Sequence, residues 1–140
     1  MPDDGVPEGF APQGRPSPFL APFEPIYSRR EEGGTVTLAV RLRRPHMNER
    51  GLPHGGFLTT LADSAMARSL AAQTDPPGRH VTVSLSIDFY RPAREGDWLE
   101  ARVEHLRPGR RLSFAGCLLT VGDELIARAR GTFAPLRRPG

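Results

Sequence analysis

Lysine is absent from the sequence, and all 19 cationic residues are arginine. That uniformity reads as codon bias rather than as a functional device. The arginines are spread along the chain, are not interleaved with aromatics, and leave a formal net charge of +3. Nucleic-acid binding needs a gathered basic face or stacking platforms, so no nucleic-acid partner is expected. Cysteine occurs once, at Cys117, which excludes an internal disulfide. It sits in the strand-like apolar run 112–119, where a small buried hydrophobe is expected rather than a catalytic thiolate. No stretch approaches the ~20 apolar residues of a membrane span. Residues 1–5 have neither the basic nor the apolar part of a secretory leader. The expectation is a cytoplasmic protein without membrane partners. His46, His54, His80 and His105 show no metal-ligand spacing, so no metal is expected. There is also no nucleophile elbow, phosphate loop or dinucleotide fingerprint, and no cofactor is expected.

A chain of 140 residues suits one domain with its own core. Residues 1–19 are rich in Pro and Gly and lack periodicity, which predicts a disordered or loosely packed N-terminal arm before a domain at 20–140. Residues 24–31 are a candidate first strand, closed by a turn at Glu32-Gly33-Gly34. Residues 35–43 then place apolar side chains at even positions, the period of a half-buried strand. After a loop at 44–53 the period changes. Apolar residues recur at 57, 58, 61, 62, 65, 66 and 70, a helical stripe about five turns long. Asp75-Pro76-Pro77-Gly78 ends it. Four strand candidates follow, at 81–89, 98–107, 111–121 and 124–133. Short turn signals between them predict antiparallel hairpins. One helix and one antiparallel sheet must bury their apolar faces on each other, giving a two-layer α+β domain with the sheet wrapped around the helix.

Chemistry concentrates between Arg44 and Gln73. Gly55 and Gly56 open the helix although each disfavours it by ~1 kcal/mol relative to Ala. One account is an N-cap that needs unusual dihedrals. The other is a ligand that approaches bare N–H groups at the positive helix end and places an oxyanion there. Asp63 interrupts a segment of apolar and small residues. Periodicity favours a solvated surface carboxylate, yet the buried stripe borders it, and a desolvated carboxylate can act as a base. Gly55 and Asp63 are eight residues apart, or ~12 Å along a helix. A base and an oxyanion donor must both lie within ~3 Å of the reacting group, so one copy cannot supply both. Two helices lying antiparallel across a twofold axis can, and they would create two identical sites.

The pattern Asn48-x-x-Gly51-x-x-His54-Gly55-Gly56, followed by Leu61-Ala62-Asp63-Ser64-Ala65, resembles the hotdog-fold acyl-CoA thioesterases of the 4-hydroxybenzoyl-CoA thioesterase superfamily, phenylacetate-degradation type. The likeness covers roughly residues 33–134 and continues through Ile87-Asp88-Phe89-Tyr90-Arg91-Pro92-Ala93, Gly96-Asp97 and residues 127–133. It implies a hotdog fold, an acyl-CoA substrate, and a homodimer or tetramer. It implies Asp63 as general base on water or as nucleophile, and the Gly55 N–H of the other subunit as the group polarising the thioester carbonyl. Asn48 would position water or carbonyl. His54 would brace the turn or sit near the thioester. Thr82 would match a hydroxyl beside the carboxylate. Gly56 would border the substrate, and Arg79, Arg91, Arg110 and Arg111 are candidates for the CoA phosphates by location. A hotdog hydratase resembles an Asp followed five residues later by His, and Arg68 stands there instead. A non-catalytic acyl-CoA-binding or sensor protein is the remaining alternative.

Overall fold

The computed structural model describes residues 5–74 and 78–136. Its strands are β1 (Ala11–Pro12), β2 (Tyr27–Arg30), β3 (Val36–Arg41), β4 (His80–Phe89), β5 (Trp98–Arg107), β6 (Ser113–Val121) and β7 (Glu124–Pro135). One long helix, α1 (Gly55–Ala72), separates β3 from β4. The strands form a single antiparallel sheet in the order β1-β2-β3-β5-β6-β7-β4. The apolar stripe of α1 lies on one face of that sheet, as the two periodicities require. Leu58, Leu61, Ala65, Met66 and Leu70 are each at most 3% exposed. They pack with Leu38 and Val40 of β3, Leu99 of β5, Leu119 of β6 and Phe133 of β7. Each such large side chain contributes about 1.5–3 kcal/mol by leaving water.

Small residues let the helix come close. Ala62 and Ala65 are fully buried. Ser69, also buried, accepts a hydrogen bond from Val36 N at 2.9 Å and so ties the helix to β3. Gly131 on β7 is required by space: a Cβ there would lie 2.5 Å from the Phe133 ring and 3.3 Å from Met66 Cε.

One sequence expectation is corrected: β4 and β5 are not a hairpin. Among the described residues β4 pairs only with β7, at the sheet edge, while β5 sits between β3 and β6. Turn signals alone cannot distinguish a hairpin from a crossover. The eight residues 90–97 reach up to ~27 Å, enough to cross the three strand spacings, ~14 Å, from β4 to β5. The described part of the N-terminal arm is mostly exposed, with contacts of its own. Within residues 5–19, β1 pairs with β2, and Phe10 is 9% exposed with its ring edge-on to Trp98 at 5.4 Å. The Arg29 guanidinium lies 4.3 Å above the Phe10 ring. Besides these contacts, the Gly5 carbonyl accepts from the Arg41 guanidinium at 2.7 Å and Gln13 N donates to the Ile26 carbonyl at 2.9 Å, and none of them leaves a periodic signal. Pro12 is tolerated there because β1 is an edge strand. Of the expected helix-ending residues, Asp75 to Pro77 lie outside the described residues. The helix itself stops at Ala72.

Candidate active site

The loop before α1 is fixed by a buried imidazole. His46 is fully buried and stacks on Phe57, the centroids 4.4 Å apart. Its Nδ1 accepts from Arg43 N at 3.0 Å and its Nε2 reaches the Phe23 carbonyl at 2.9 Å. The ring is therefore held neutral, as the Nε2–H tautomer. Burial is the main reason its pKa lies below the ordinary histidine value.

From that anchor the loop turns through Asn48. The Asn48 Oδ1 accepts from Arg50 N at 2.9 Å and from Leu52 N at 3.1 Å. This is an Asx turn, and it commits the oxygen to the backbone. The amide nitrogen is the end left for a ligand. His54 is the N-cap of α1: its Nδ1 accepts from Gly56 N at 2.8 Å, and its own N–H donates to the His46 carbonyl at 2.8 Å. Its turn-bracing role is thus visible in the structure, and the Gly56 N–H is spent on the cap. A Cβ on Gly56 would press on the His54 ring at 2.9 Å.

Gly55 occupies the first helical position, where an N–H has no intrahelical acceptor. Among the described residues it has no other hydrogen-bond acceptor either. The ring of Phe89, at the end of β4, covers its α-carbon: Cζ would be 3.3 Å from a Cβ. These two residues border a cleft of about 380 Å³ lined also by Asn48, Leu58, Tyr90 and Arg91.

Asp63 lies on the helix face turned toward β4, half-buried. Its Oδ1 accepts from Thr82 Oγ1 at 2.6 Å. Strict alternation along β4 would send Thr82 to the opposite face of the sheet, beside Ser84 and Ser86. A β-bulge decides otherwise. The register slips between Thr82 and Ser84, leaving Val83 without a partner on β7. The bulge reverses the facing of everything before it. Thr82 turns toward the helix, Leu85 and Ile87 keep packing on the core, and Val81 and Val83 are 44% and 57% exposed.

The remaining residues singled out from sequence are distributed over two ends. Arg91 lines the Gly55 cleft and lies 3.5 Å from Glu124 in an exposed ion pair. Arg79, Arg110 and Arg111 are at the opposite end of the sheet, where β4 begins and β5 turns into β6. Within one chain they are not brought to Gly55. Cys117 is fully buried, and burial first, then Glu104, pushes its thiol up to about 12, which leaves it inert as a nucleophile. Sequence reasoning missed His46 and the role of Phe89. His46 carries no periodic signal, and Phe89 reads only as one more apolar position of a strand.

Among the described residues no three metal-ligating side chains converge, and no helix there is long and apolar enough to cross a membrane. Residues 43–134 match the family model described as the acyl-CoA thioesterase N-terminal domain. The chain is 41% identical over 128 residues to a Pseudomonas aeruginosa protein whose name proposes an esterase, covering 91% of this chain and 96% of that one. It is 32% identical over 96 residues to acyl-coenzyme A thioesterase 13 of Mus musculus, covering 66% and 67% respectively. Among solved structures, a mutant of the phenylacetic acid degradation protein PaaI from Thermus thermophilus superposes with a TM-score of 0.75 at 29% identity, over 86% of this chain and all of the other. That architecture, one long helix against a large antiparallel sheet, is the hotdog fold.

Proposed function

The chain belongs to the acyl-CoA thioesterase family, and from that premise we propose that it hydrolyses an acyl-CoA thioester at a site shared by two copies. The observation that carries the proposal is the clamped carboxylate. Thr82 fixes one oxygen of Asp63 at 2.6 Å, so the other can hold a water in one orientation. Asp63 takes a proton from that water as it attacks the thioester carbon. The carbonyl oxygen gathers charge against the Gly55 N–H, at the positive end of α1. Collapse of the tetrahedral intermediate expels CoA as its thiolate and leaves the free acid. The Asn48 amide nitrogen, on the rim of the same cleft, supplies a second donor.

The eight-residue separation, ~12 Å along the helix, requires that Gly55 and Asp63 come from different chains. β4 supports this assembly. Among the described residues it is an edge strand with one side unpaired, and Val81, Val83 and Phe89 on it are exposed. Antiparallel association along β4 also brings Arg79, Arg110 and Arg111 of one copy to the Gly55 end of the other. There they can meet the phosphates of CoA.

The test is complementation between two dead variants. Asp63→Asn removes the base. Gly55→Pro removes the amide proton while keeping a residue suited to the first helical position, and His54 already has the extended ψ of 127° that a following Pro needs. Co-refolded in equal amounts, the two should regain about one quarter of wild-type thiol release, because half the dimers carry one intact site. Two inactive variants that stay inactive together would place both groups in one chain and sink the shared site.

A further inference from the structure

We infer that the acyl tail and the CoA arm leave the reacting carbonyl in opposite directions, the tail into an apolar cleft walled by Phe19, Phe23, Met47 and Phe57. The inference rests on the proposed thioester hydrolysis and assigns the substrate class of that same site.

Two clefts flank the N-terminus of α1, and they differ in chemistry. The one bordered by Gly55 is mixed, with Leu52, Leu58, Phe89 and Pro92 sharing its lining with Asn48, Tyr90 and the cationic Arg91. The other, about 450 Å³, begins at His54 and Gly56 and runs along Thr60. Among the described residues no carboxylate, guanidinium or ammonium lines it. Its walls are aromatic: Phe23 lies 5.1 Å from Phe57 and 6.1 Å from Phe19, centroid to centroid. The turn His54-Gly55-Gly56 is the saddle between the two. Gly56 is exposed and has no side chain to block passage across it. A thioester whose carbonyl rests on the Gly55 N–H therefore has an exit beside a cation on one side and an uncharged, aromatic one on the other.

Chemistry assigns the arms. Pantetheine and nucleotide phosphates are polar and anionic, and suit the arginine side. An uncharged alkyl or aryl group suits the other, and the volume lies within the ~300–1,000 Å³ typical of small-ligand sites. A tail ending in a carboxylate would be desolvated there with no cation to meet it. Phe19 is 67% exposed, so it serves the fold little, and as a wall of the cleft it has a use.

The experiment is a series of straight-chain acyl-CoAs from acetyl to dodecanoyl, with succinyl-CoA as the charged member, followed by free-thiol release. For the wild type, kcat/KM should rise by about two- to fourfold per methylene until the cleft is full, and succinyl-CoA should be turned over less well than butyryl-CoA, its uncharged four-carbon counterpart. Phe19→Ala should lower the octanoyl-to-acetyl ratio of kcat/KM by about tenfold. Arg91→Ala should lower kcat/KM for every member by a similar factor, since it acts on the shared CoA end. Loss by Phe19→Ala that is independent of acyl length, or a ratio that moves with Arg91→Ala instead, overturns the assignment of the clefts while leaving thioester hydrolysis standing. Absence of thiol release by the wild type with every ester refutes the hydrolysis itself.

Discussion

Thr82, on an edge strand, donates its hydroxyl proton to Asp63, on the central helix, across 2.6 Å. A hydrogen bond to an ionised carboxylate contributes about 1.5–3 kcal/mol, and here it also sets the direction of the remaining lone pairs. Thr82→Val keeps the shape and removes the donor. The expected result is a fall in kcat of about tenfold with KM little changed. Thr82→Ser, which keeps a donor, should restore most of the loss. Wild-type kcat in Thr82→Val would show the contact to be structural only.

Asp63→Asn should cost more, because it removes the group that accepts the proton. A general base of this kind contributes ~10²–10⁴ in rate. The amide oxygen can still accept from Thr82, so the melting temperature should remain close to wild type. A variant that unfolds would leave the kinetic result without meaning, which is why calorimetry accompanies the assay.

How much of this was legible beforehand differs by element. The bounds of α1 followed from the 3.6-residue stripe, and β3, β5, β6 and β7 from alternation and turn residues, because these are local properties. Gly55 and Asp63 stood out as the glycine opening and the lone carboxylate of the helix, while a role for Asn48 came only with the family resemblance. The position of β4 was not, since pairing at a sheet edge is a long-range choice. The facing of Thr82 came only with the family resemblance; alternation alone would turn it outward, since the bulge at Val83 depends on how β7 fits against β4. His46 was hidden because its partners, Phe23 and Phe57, are far away along the chain.

Phe89 and Gly55 should be energetically coupled. Gly55→Ala brings a methyl to 3.3 Å from the Phe89 ring, tighter than ordinary contact. Such overpacking costs about 1–3 kcal/mol, partly offset by the better helix propensity of Ala. In the Phe89→Ala background the same substitution should lose that penalty. A double-mutant cycle by urea unfolding should give a coupling above about 0.5 kcal/mol. Strict additivity would mean that the ring simply swings away.

Stability should depend on pH through His46. Burial holds its folded pKa below the ordinary value of 6.5, so the unfolded chain takes up a proton where the folded chain does not. Stability is therefore complete above about pH 6.5 and is lost as pH falls below it. The sign follows from the proton that Nδ1 would gain, which breaks the bond from Arg43 N. His80 is shifted the same way by burial and adds to the slope. His46→Gln should show a smaller drop in Tm between about pH 7.5 and 5.5 than wild type. An unchanged drop would assign the slope elsewhere.

Self-association should depend on the open side of β4. Val83, 57% exposed, sits at its bulge. A charge on an edge strand opposes pairing with another edge. Val83→Lys should shift the protein toward monomer in sedimentation and lower specific activity in parallel. A fully active monomer would be the contrary finding.

The unpaired residue in β4 means that the clamp on Asp63 is specified by how many amino acids the strand contains, as well as by which ones. Excising Val83 would straighten the strand and leave Thr82 on the helix side by plain alternation, whereas one further residue inserted beside Val83 would leave every side chain of the site in the gene and yet carry the Thr82 hydroxyl to the outer surface. Single-residue insertions in this one strand are thus a route by which such a protein can lose its threonine without any substitution.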